Sequence, residues 1–256
     1  MARGLQHATF NRSALVRVLS GAVPEVSGPK YDFGERLGQW LDISDALTLY
    51  SVLNAGAGGG AAVSSASADL PGQLARVRRI LGDSIHNDGV FSPPPARIPF
   101  PVPLPNATPE SAADFSPYHR YYLAHQRDMN AAITALRANA RKALAGQSAA
   151  GRQLAELDAT FDKSLAARER TLLGNIPILL SKRFQQRYAD HRTTLGDGGA
   201  DDPATWAQPG SWLDAFRQDA QTVLLAELEL RLKPVAGLIA ALAATPGSAN
   251  HETNPR

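Results

Sequence analysis

Apolar residues recur every three or four positions over most of the chain, which is the spacing of one face of an α-helix. One such run begins after Phe115 and ends at Leu144, and a second covers residues 154–188. A third covers residues 211–232. Strict alternation of apolar and polar residues, the mark of a half-buried strand, is missing. The pattern therefore predicts an all-α protein without a sheet.

Each long run supplies one apolar stripe. The first stripe is Tyr118, Tyr122, His125, Met129, Ile133, Leu136, Ala140 and Leu144. The second is Leu154, Leu157, Phe161, Leu165, Leu172, Ile176, Leu179, Leu180, Phe184 and Tyr188. The third is Leu213, Phe216, Ala220, Leu224, Leu228 and Leu232. Three long striped helices joined by short turns predict an antiparallel bundle, and coiled-coil association with another chain is the competing use of the same stripes.

Local signals set the expected helix ends. Ser116 is a good N-cap residue, and Pro117 follows it at the first position of the helix. Pro177 predicts a kink or restart near residues 174–175, and Pro234 predicts an interruption of the last helix.

Shorter helices are predicted before the bundle, over residues 13–19, 32–53 and 70–81. The middle one carries the stripe Leu37, Trp40, Leu41, Leu47, Tyr50 and Leu53, and it is expected to break near residues 42–45. Trp40 is the largest apolar side chain of this region. It is expected in the core, and an exposed docking anchor is the alternative.

Two biased segments divide the chain. Residues 56–68 are rich in Gly, Ala and Ser, and Pro occurs eight times between residues 93 and 109. Such Pro spacing favours polyproline II, hence a semi-rigid spacer or a docking peptide. The predicted organisation is an N-terminal arm with a short helix (1–31), a small helical unit with an internal linker at 56–68 (32–90), a Pro-rich linker (91–114), a helical bundle (115–243) and a disordered tail (244–256).

Composition narrows the class of protein. Cysteine is absent, which fits a reducing compartment and excludes a Cys nucleophile, thiolate zinc sites and iron–sulfur clusters. Residues 1–10 lack the apolar core of a signal peptide. The longest apolar run covers residues 235–244, well short of the about 20 residues of a membrane-spanning helix. A cytoplasmic protein without a membrane span is expected.

Charge is segregated along the chain, although the net charge is only +2. Residues 116–195 carry 13 Lys or Arg against 6 Asp or Glu, whereas residues 196–256 carry 4 against 8. One interpretation is that these segments pack against each other within one bundle. The other is a basic surface for nucleic acid or another acidic partner. The candidate interaction residues on that surface are Arg137, Arg141, Lys142, Lys182, Arg183 and Arg187.

The sequence contains no recognisable catalytic or metal-binding pattern, so no catalytic, cofactor or metal residue is predicted. The Gly-rich residues 56–60 follow a predicted helix rather than a strand, which favours a linker over a nucleotide loop. Asp83, His86 and Asp88 fall in a turn sequence. His125 lies on an apolar stripe and is expected in the core. Asp158 and Asp162 share one helix face, for which a solvated surface is expected.

Some segments resemble the signature of an uncharacterised proteobacterial family, the domain-of-unknown-function family 3348. They are residues 36–47, Tyr122 with residues 126–129, residues 168–169, 172–173 and 182–184, Pro177, and residues 228–238. The resemblance implies no assigned activity. Members are encoded near peptidoglycan-anchoring and motor-like membrane proteins, which implies an accessory role in an envelope complex.

The sequence thus predicts a non-enzymatic helical interaction or scaffold protein that binds a protein partner or a second copy of itself. The alternative is a nucleic-acid-binding accessory protein that uses the basic region 116–195.

Overall fold

The computed structural model describes residues 14–22, 40–41, 43–54, 69–91, 95–196 and 199–244. Over this part of the chain the protein is all-α, and none of these residues forms a strand. The prediction of an all-α fold with a bundle of long helices is confirmed.

The helices are named here in chain order. The described helices before the bundle are α1 (Ala14–Ala22), α2 (Ile43–Asn54), α3 (Leu70–His86) and the single turn α4 (Pro109–Ala112). The long helices are α5 (Ser116–Gln147), α6 (Ala149–Gly174), α7 (Ile176–Leu195) and α8 (Trp212–Ala244). A 3-10 turn, Pro203–Thr205, lies in the α7–α8 connection.

Helix α8 is the centre of the bundle, because α1, α3, α5 and α7 all pack against it. Contacts between α5 and α8 advance in the same direction along both helices, from Tyr118 beside Phe216 to Gln147 beside Leu242, so these two are parallel. Helices α6 and α7 run one after the other, antiparallel to both.

Helix α3 packs against both α5 and α8 and runs antiparallel to α8. Its Arg78 pairs with Glu229, and the carbonyl of Ile85 accepts a hydrogen bond from Gln221, which lies two turns earlier on α8. The sequence placed residues 70–81 in a separate N-terminal unit. In the fold, α3 contributes Leu81 and Ile85 to the same apolar core as the bundle.

Aromatic rings fill the end of the core where α5 and α8 begin. Phe184 of α7 lies 4.9 Å from Tyr118 and 5.2 Å from Phe216, measured between ring centres. Phe100, from the Pro-rich segment, lies 5.3 Å from the Tyr118 ring. The segment expected to be a spacer is therefore anchored here by a buried side chain. The predicted boundaries at 91–114 and elsewhere stay predictions.

Several helix ends differ from the sequence prediction. Ser116 is not a cap residue but the first residue of α5, and its backbone N–H and its hydroxyl both donate to Asp114. Helix α3 ends at His86, five residues later than predicted. The kink or restart predicted within the second run of apolar residues is confirmed at Asn175, which separates α6 from α7. The predicted interruption at Pro234 is wrong, because α8 continues through it to Ala244.

The predicted stripes differ in how well they match the core. Every residue of the α5 and α8 stripes is buried. The α6 stripe is wrong in part, because Leu154 and Leu172 are exposed whereas Ala155 and Leu173 are buried. None of the helices described is both long and apolar enough to cross a membrane. The predicted linker at 56–68, its Gly-rich residues 56–60 and the predicted tail, apart from Ala244, lie outside the described residues.

Candidate functional site

A groove of about 710 Å³ lies between α5 and α6. The two helices form an antiparallel hairpin around Ser148, whose hydroxyl caps α6 by accepting the backbone N–H of Gly151 at 3.0 Å. Ala159, Ala166 and Gly174 line the α6 wall, and the methyl group or hydrogen that each carries leaves the space open. The volume is within the range of sites that bind small molecules in proteins.

A buried carboxylate, Glu227 of α8, lies behind this groove. Its Oε2 accepts the hydroxyl of Tyr122 at 2.7 Å, and Gln126 donates to both carboxylate oxygens at 3.0 and 3.1 Å. Arg231, one turn later on α8, donates to Oε1 at 2.7 Å through Nη2. A fully buried charge is stable only when it is paired and hydrogen-bonded in this way.

The partners of Glu227 are fixed in turn. Gln126 also donates to the carbonyl of Leu173 at 3.1 Å, which ties α5 and α8 to the end of α6. Arg231 reaches Glu169 on α6 at 3.6 Å. Burial and the neighbouring Glu227 charge both raise the pKa of Tyr122 well above its usual value, so its hydroxyl remains a donor.

Three cations line the rim of the groove: Arg127 on α5, and Lys163 and Arg170 on α6. All three side chains are exposed. None of them forms an ion pair or a hydrogen bond with another of the described residues.

The basic residues Arg137 and Arg141, two of the candidate interaction residues, are paired across the same hairpin. Arg137 donates to Asp158 at 2.6 and 2.9 Å and to Asp162 at 2.6 Å. Arg141 donates to the same two carboxylates at 2.6 and 2.8 Å. The prediction of a solvated face is wrong for Asp158, whose side chain is largely buried.

The pKa of Asp158 reflects this pairing. Burial alone would raise the pKa, but the hydrogen bonds and charges of Arg137 and Arg141 outweigh it and hold the pKa below its usual value. The carboxylate stays ionised, and this cluster of four charges locks α5 against α6.

The second predicted basic group is also engaged. Arg183 and Arg187 of α7 donate to Asp219 of α8 at 2.9 and 2.8 Å. These pairs join the basic segment to the acidic C-terminal segment, as one of the two interpretations of the charge pattern expects. Lys182 also has an interaction partner. Lys142 is exposed near the end of α5.

Helix α2 carries a second surface of interest. It packs on α6 through Leu49, and Ser164 of α6 donates to Asp45 at 2.6 Å. On the opposite side, Ile43, Leu47 and Tyr50 are 80%, 63% and 67% exposed. Leu53 is also exposed, at 57%. The apolar stripe predicted for this helix is therefore wrong for Leu47, Tyr50 and Leu53, which do not face the core.

Trp40 lies just before α2, beyond a bend at Leu41. Its ring is partly buried, and the guanidinium carbon of Arg168 lies 5.9 Å from the ring centre. Trp40 is thus neither fully buried nor a free anchor.

Two other polar side chains, His125 and Asp88, are buried within the bundle. His125 is buried as predicted, and burial together with the Arg97 charge lowers its pKa from 6.5 to about 4. Asp88 accepts from Arg217 at 3.0 Å and from Gln221 at 2.8 Å, which joins the end of α3 to α8. Nowhere in the described ranges do three acidic or histidine side chains cluster closely enough to hold a metal ion.

Sequence reasoning missed Glu227 and the groove. One signal was present, because Glu227 falls three residues after Leu224 and so lies on the apolar stripe of α8. Arg231 follows one turn later, which is the spacing of an ion pair on a helix. Nothing in the sequence indicated that Tyr122 and Gln126 would meet this pair.

Comparison with known proteins gives one family. The family model described as Protein of unknown function (DUF3348) matches residues 1–244. No curated protein and no solved structure matches the chain. Because the family model covers nearly all of the chain, this protein belongs to the family described as Protein of unknown function (DUF3348).

Proposed function

We propose that this protein is a non-enzymatic interaction module that binds an apolar helix of a partner protein along the outer face of α2. The outer face is defined here as Ile43, Leu47, Tyr50 and Leu53. The observation that carries the proposal is that these four large apolar side chains are each more than half exposed.

The geometry of α2 supports a helical partner. Ile43, Leu47 and Tyr50 are spaced by four and three residues, so they form one continuous ridge. Such a ridge is what an amphipathic helix meets when it packs into a groove or against another helix. Soluble monomers rarely expose contiguous apolar surface of this kind unless it binds something.

The chemistry of α2 supports an apolar occupant rather than a charged one. Asp45 is the only charged residue of α2, and it points to Ser164 on the inner side. A helix that is apolar on both sides is typical of one that is covered on both sides. Helix α6 covers one side, and the proposed partner covers the other.

The proposed partner is the one that the sequence predicts, which is either a different protein or a second copy of this chain. The resemblance stated above is the sole support for an envelope or motor-like complex as the setting, and a cytoplasmic location stays a prediction. The proposal assigns no catalytic reaction to the chain.

The alternative, nucleic-acid binding through residues 116–195, has lost most of its support. Four of the six cations named for it, Arg137, Arg141, Arg183 and Arg187, are paired with carboxylates of the same chain. A phosphate contact at these positions would have to break an existing ion pair.

The test compares two double variants of the full chain. In the first, Leu47→Glu and Tyr50→Glu place charges in the outer face. In the control, Leu104→Glu and Ile178→Glu place the same charges at apolar positions that are 75% and 58% exposed elsewhere. Both pairs are exposed, so both variants should keep the wild-type melting midpoint.

Tagged chains are then expressed in the native cells, cross-linked, treated with nuclease and purified, and molar mass is measured by light scattering. We expect the wild type and the control to retain the same protein or a second copy, and the outer-face variant to lose it. Retention of every partner by the outer-face variant overturns the proposal. Loss of all partners on nuclease treatment favours the nucleic-acid alternative.

A further inference from the structure

The groove between α5 and α6 lies on the opposite side of α6 from α2. Successive residues of a helix are rotated by 100°, which places Gln153 and Ser164, the α2 contacts, away from Ala159 and Ala166 in the groove. The groove is therefore a separate surface, and what it binds is independent of the proposed partner of α2.

The charges of the groove are only partly matched within the described residues. The two carboxylates of its lining, Asp162 and Glu169, are already paired with arginines. Arg127, Lys163 and Arg170 share the same concave surface and have no matching carboxylate among the described residues. Unmatched cations around a concavity raise the local concentration of anions.

The α5–α6 hairpin determines the relative positions of Arg127, Lys163 and Arg170. Arg127 and Arg170 are separated from Ser148 by nearly the same number of residues along the sequence. In an antiparallel hairpin they therefore lie at the same level, on opposite walls of the groove. Lys163 lies two turns from Arg170, about 10 Å along α6. The arrangement presents two guanidinium groups at one end of the groove and an ammonium group farther along it.

The inner surface adds one further guanidinium, whose charge is balanced by Glu227 and Glu169, and neutral contacts. Arg231 reaches the groove from α8, where Glu227 holds its guanidinium in place. Asn130 and Thr134 offer polar groups along the α5 wall. Leu123 and Leu173 give the groove an apolar portion, so its contents need not be charged throughout.

We propose that this groove binds a small organic anion that carries at least two phosphate or carboxylate groups. Arg127 and Arg170 clamp one anionic group from both sides, since the guanidinium fork matches the oxygens of phosphate and carboxylate. Lys163 neutralises a second group, and the apolar wall contacts the body of the ligand.

The test uses three small anions as probes at low ionic strength: inorganic pyrophosphate, citrate and ADP. Binding to the full chain is measured by isothermal titration calorimetry and by the shift of the melting midpoint. Pyrophosphate and ADP report on phosphate recognition, and citrate reports on carboxylate recognition. We expect saturable binding of at least one probe at one site per chain.

The triple variant Arg127→Gln, Lys163→Gln and Arg170→Gln removes the rim charge. All three side chains are exposed and have no partner within the described part of the chain, so the variant should fold as the wild type does. The dissociation constant of the bound probe should rise by about tenfold or more, because charge-assisted hydrogen bonds are among the stronger contacts in a site. If the triple variant fails to fold, Arg127→Gln and Arg170→Gln are measured singly, with a smaller rise expected from each.

A matched triple variant separates a site from general charge. Arg76→Gln, Lys142→Gln and Lys233→Gln lower the net charge equally, but these exposed residues lie outside the groove. The control should bind the probe as the wild type does. Equal loss in both triple variants, or the absence of saturable binding by any probe, overturns the proposal. So does a single-stranded DNA 12-mer that competes for the same three cations and binds far more tightly than every small anion.

Discussion

Glu227 shows how one side chain can organise three helices. It is fully buried, and its two oxygens accept from Tyr122 and Gln126 of α5 and from Arg231 of α8. A buried ion pair by itself is weak evidence for stability, because removing both charges from water costs nearly as much as their attraction returns. In this protein the Glu227 network specifies how the helices are arranged, because its hydrogen bonds are satisfied only when α5, α6 and α8 keep their relative positions.

The first prediction follows from that dependence. Glu227→Ala should lower the free energy of unfolding by about 3–5 kcal/mol, because Arg231 and the hydroxyl of Tyr122 would lose their buried partner. Chemical denaturation measures the change.

Glu229→Ala is the matched control, two residues away on the same helix. Glu229 pairs with Arg78 in a half-exposed ion pair, for which a loss within about 1 kcal/mol is expected. Equal losses in the two variants would show that Glu227 is no more important than a surface carboxylate.

Helix α8 is longer than its sequence predicted. Helix α8 passes through Pro234 without ending, although proline lacks the N–H that would donate to the carbonyl of Leu230. Burial of Leu232, Val235 and Leu238 on both sides of the proline explains why the helix continues. Tertiary packing there outweighs the local preference of the chain to stop.

The second prediction concerns this proline. Pro234 is exposed, so Pro234→Ala restores a backbone hydrogen bond without disturbing the core. We expect the free energy of unfolding to rise by about 1–3 kcal/mol, up to the difference in helix propensity between the two residues. Lys233→Ala, at an exposed neighbouring position, should change it little. A lower melting midpoint for Pro234→Ala would mean that the core requires a bend at this proline.

On the scale of the whole molecule, the helices on both sides of the Pro-rich segment share one core. Ile85 of α3 is fully buried, and Phe100 of the Pro-rich segment lies among the rings of Tyr118, Tyr121 and Phe216. Removing α3 would expose the apolar residues of α8 and α5 that it covers. Helix α3 is therefore a structural component of the bundle.

The third prediction tests this unity. A specific protease recognition sequence is inserted after Ser92, and the folded chain is cut there. The two fragments should elute together in size-exclusion chromatography and separate only in denaturant. The same cut in an Ile85→Asp variant should release the N-terminal fragment, because a charge would then face the apolar core.

A different result would support the predicted division of the chain. If the unmodified fragments separate without denaturant and the C-terminal one keeps its melting midpoint, residues 91–114 are a true domain boundary.

The sequence by itself determined the helical character of the protein and the apolar stripes of its two central helices, α5 and α8. The stripes of α5 and α8 gave the correct core residues, because both helices are covered on their apolar side and periodicity reports burial directly. The restart at Asn175 was equally local, since Pro177 cannot continue an unbroken helix without losing a hydrogen bond.

Only the tertiary structure decided which charges are available and which apolar surfaces are covered. Arg137 and Arg127 look alike along the sequence, but the hairpin at Ser148 places Asp158 and Asp162 opposite the first and an open groove beside the second. Likewise, Leu47 and Leu49 are both leucines of α2. Leu49 is buried because α2 packs on α6, and Leu47 stays exposed on the opposite side of the helix. Pairing and burial depend on what approaches from elsewhere in the chain, and periodicity along one helix does not contain that information.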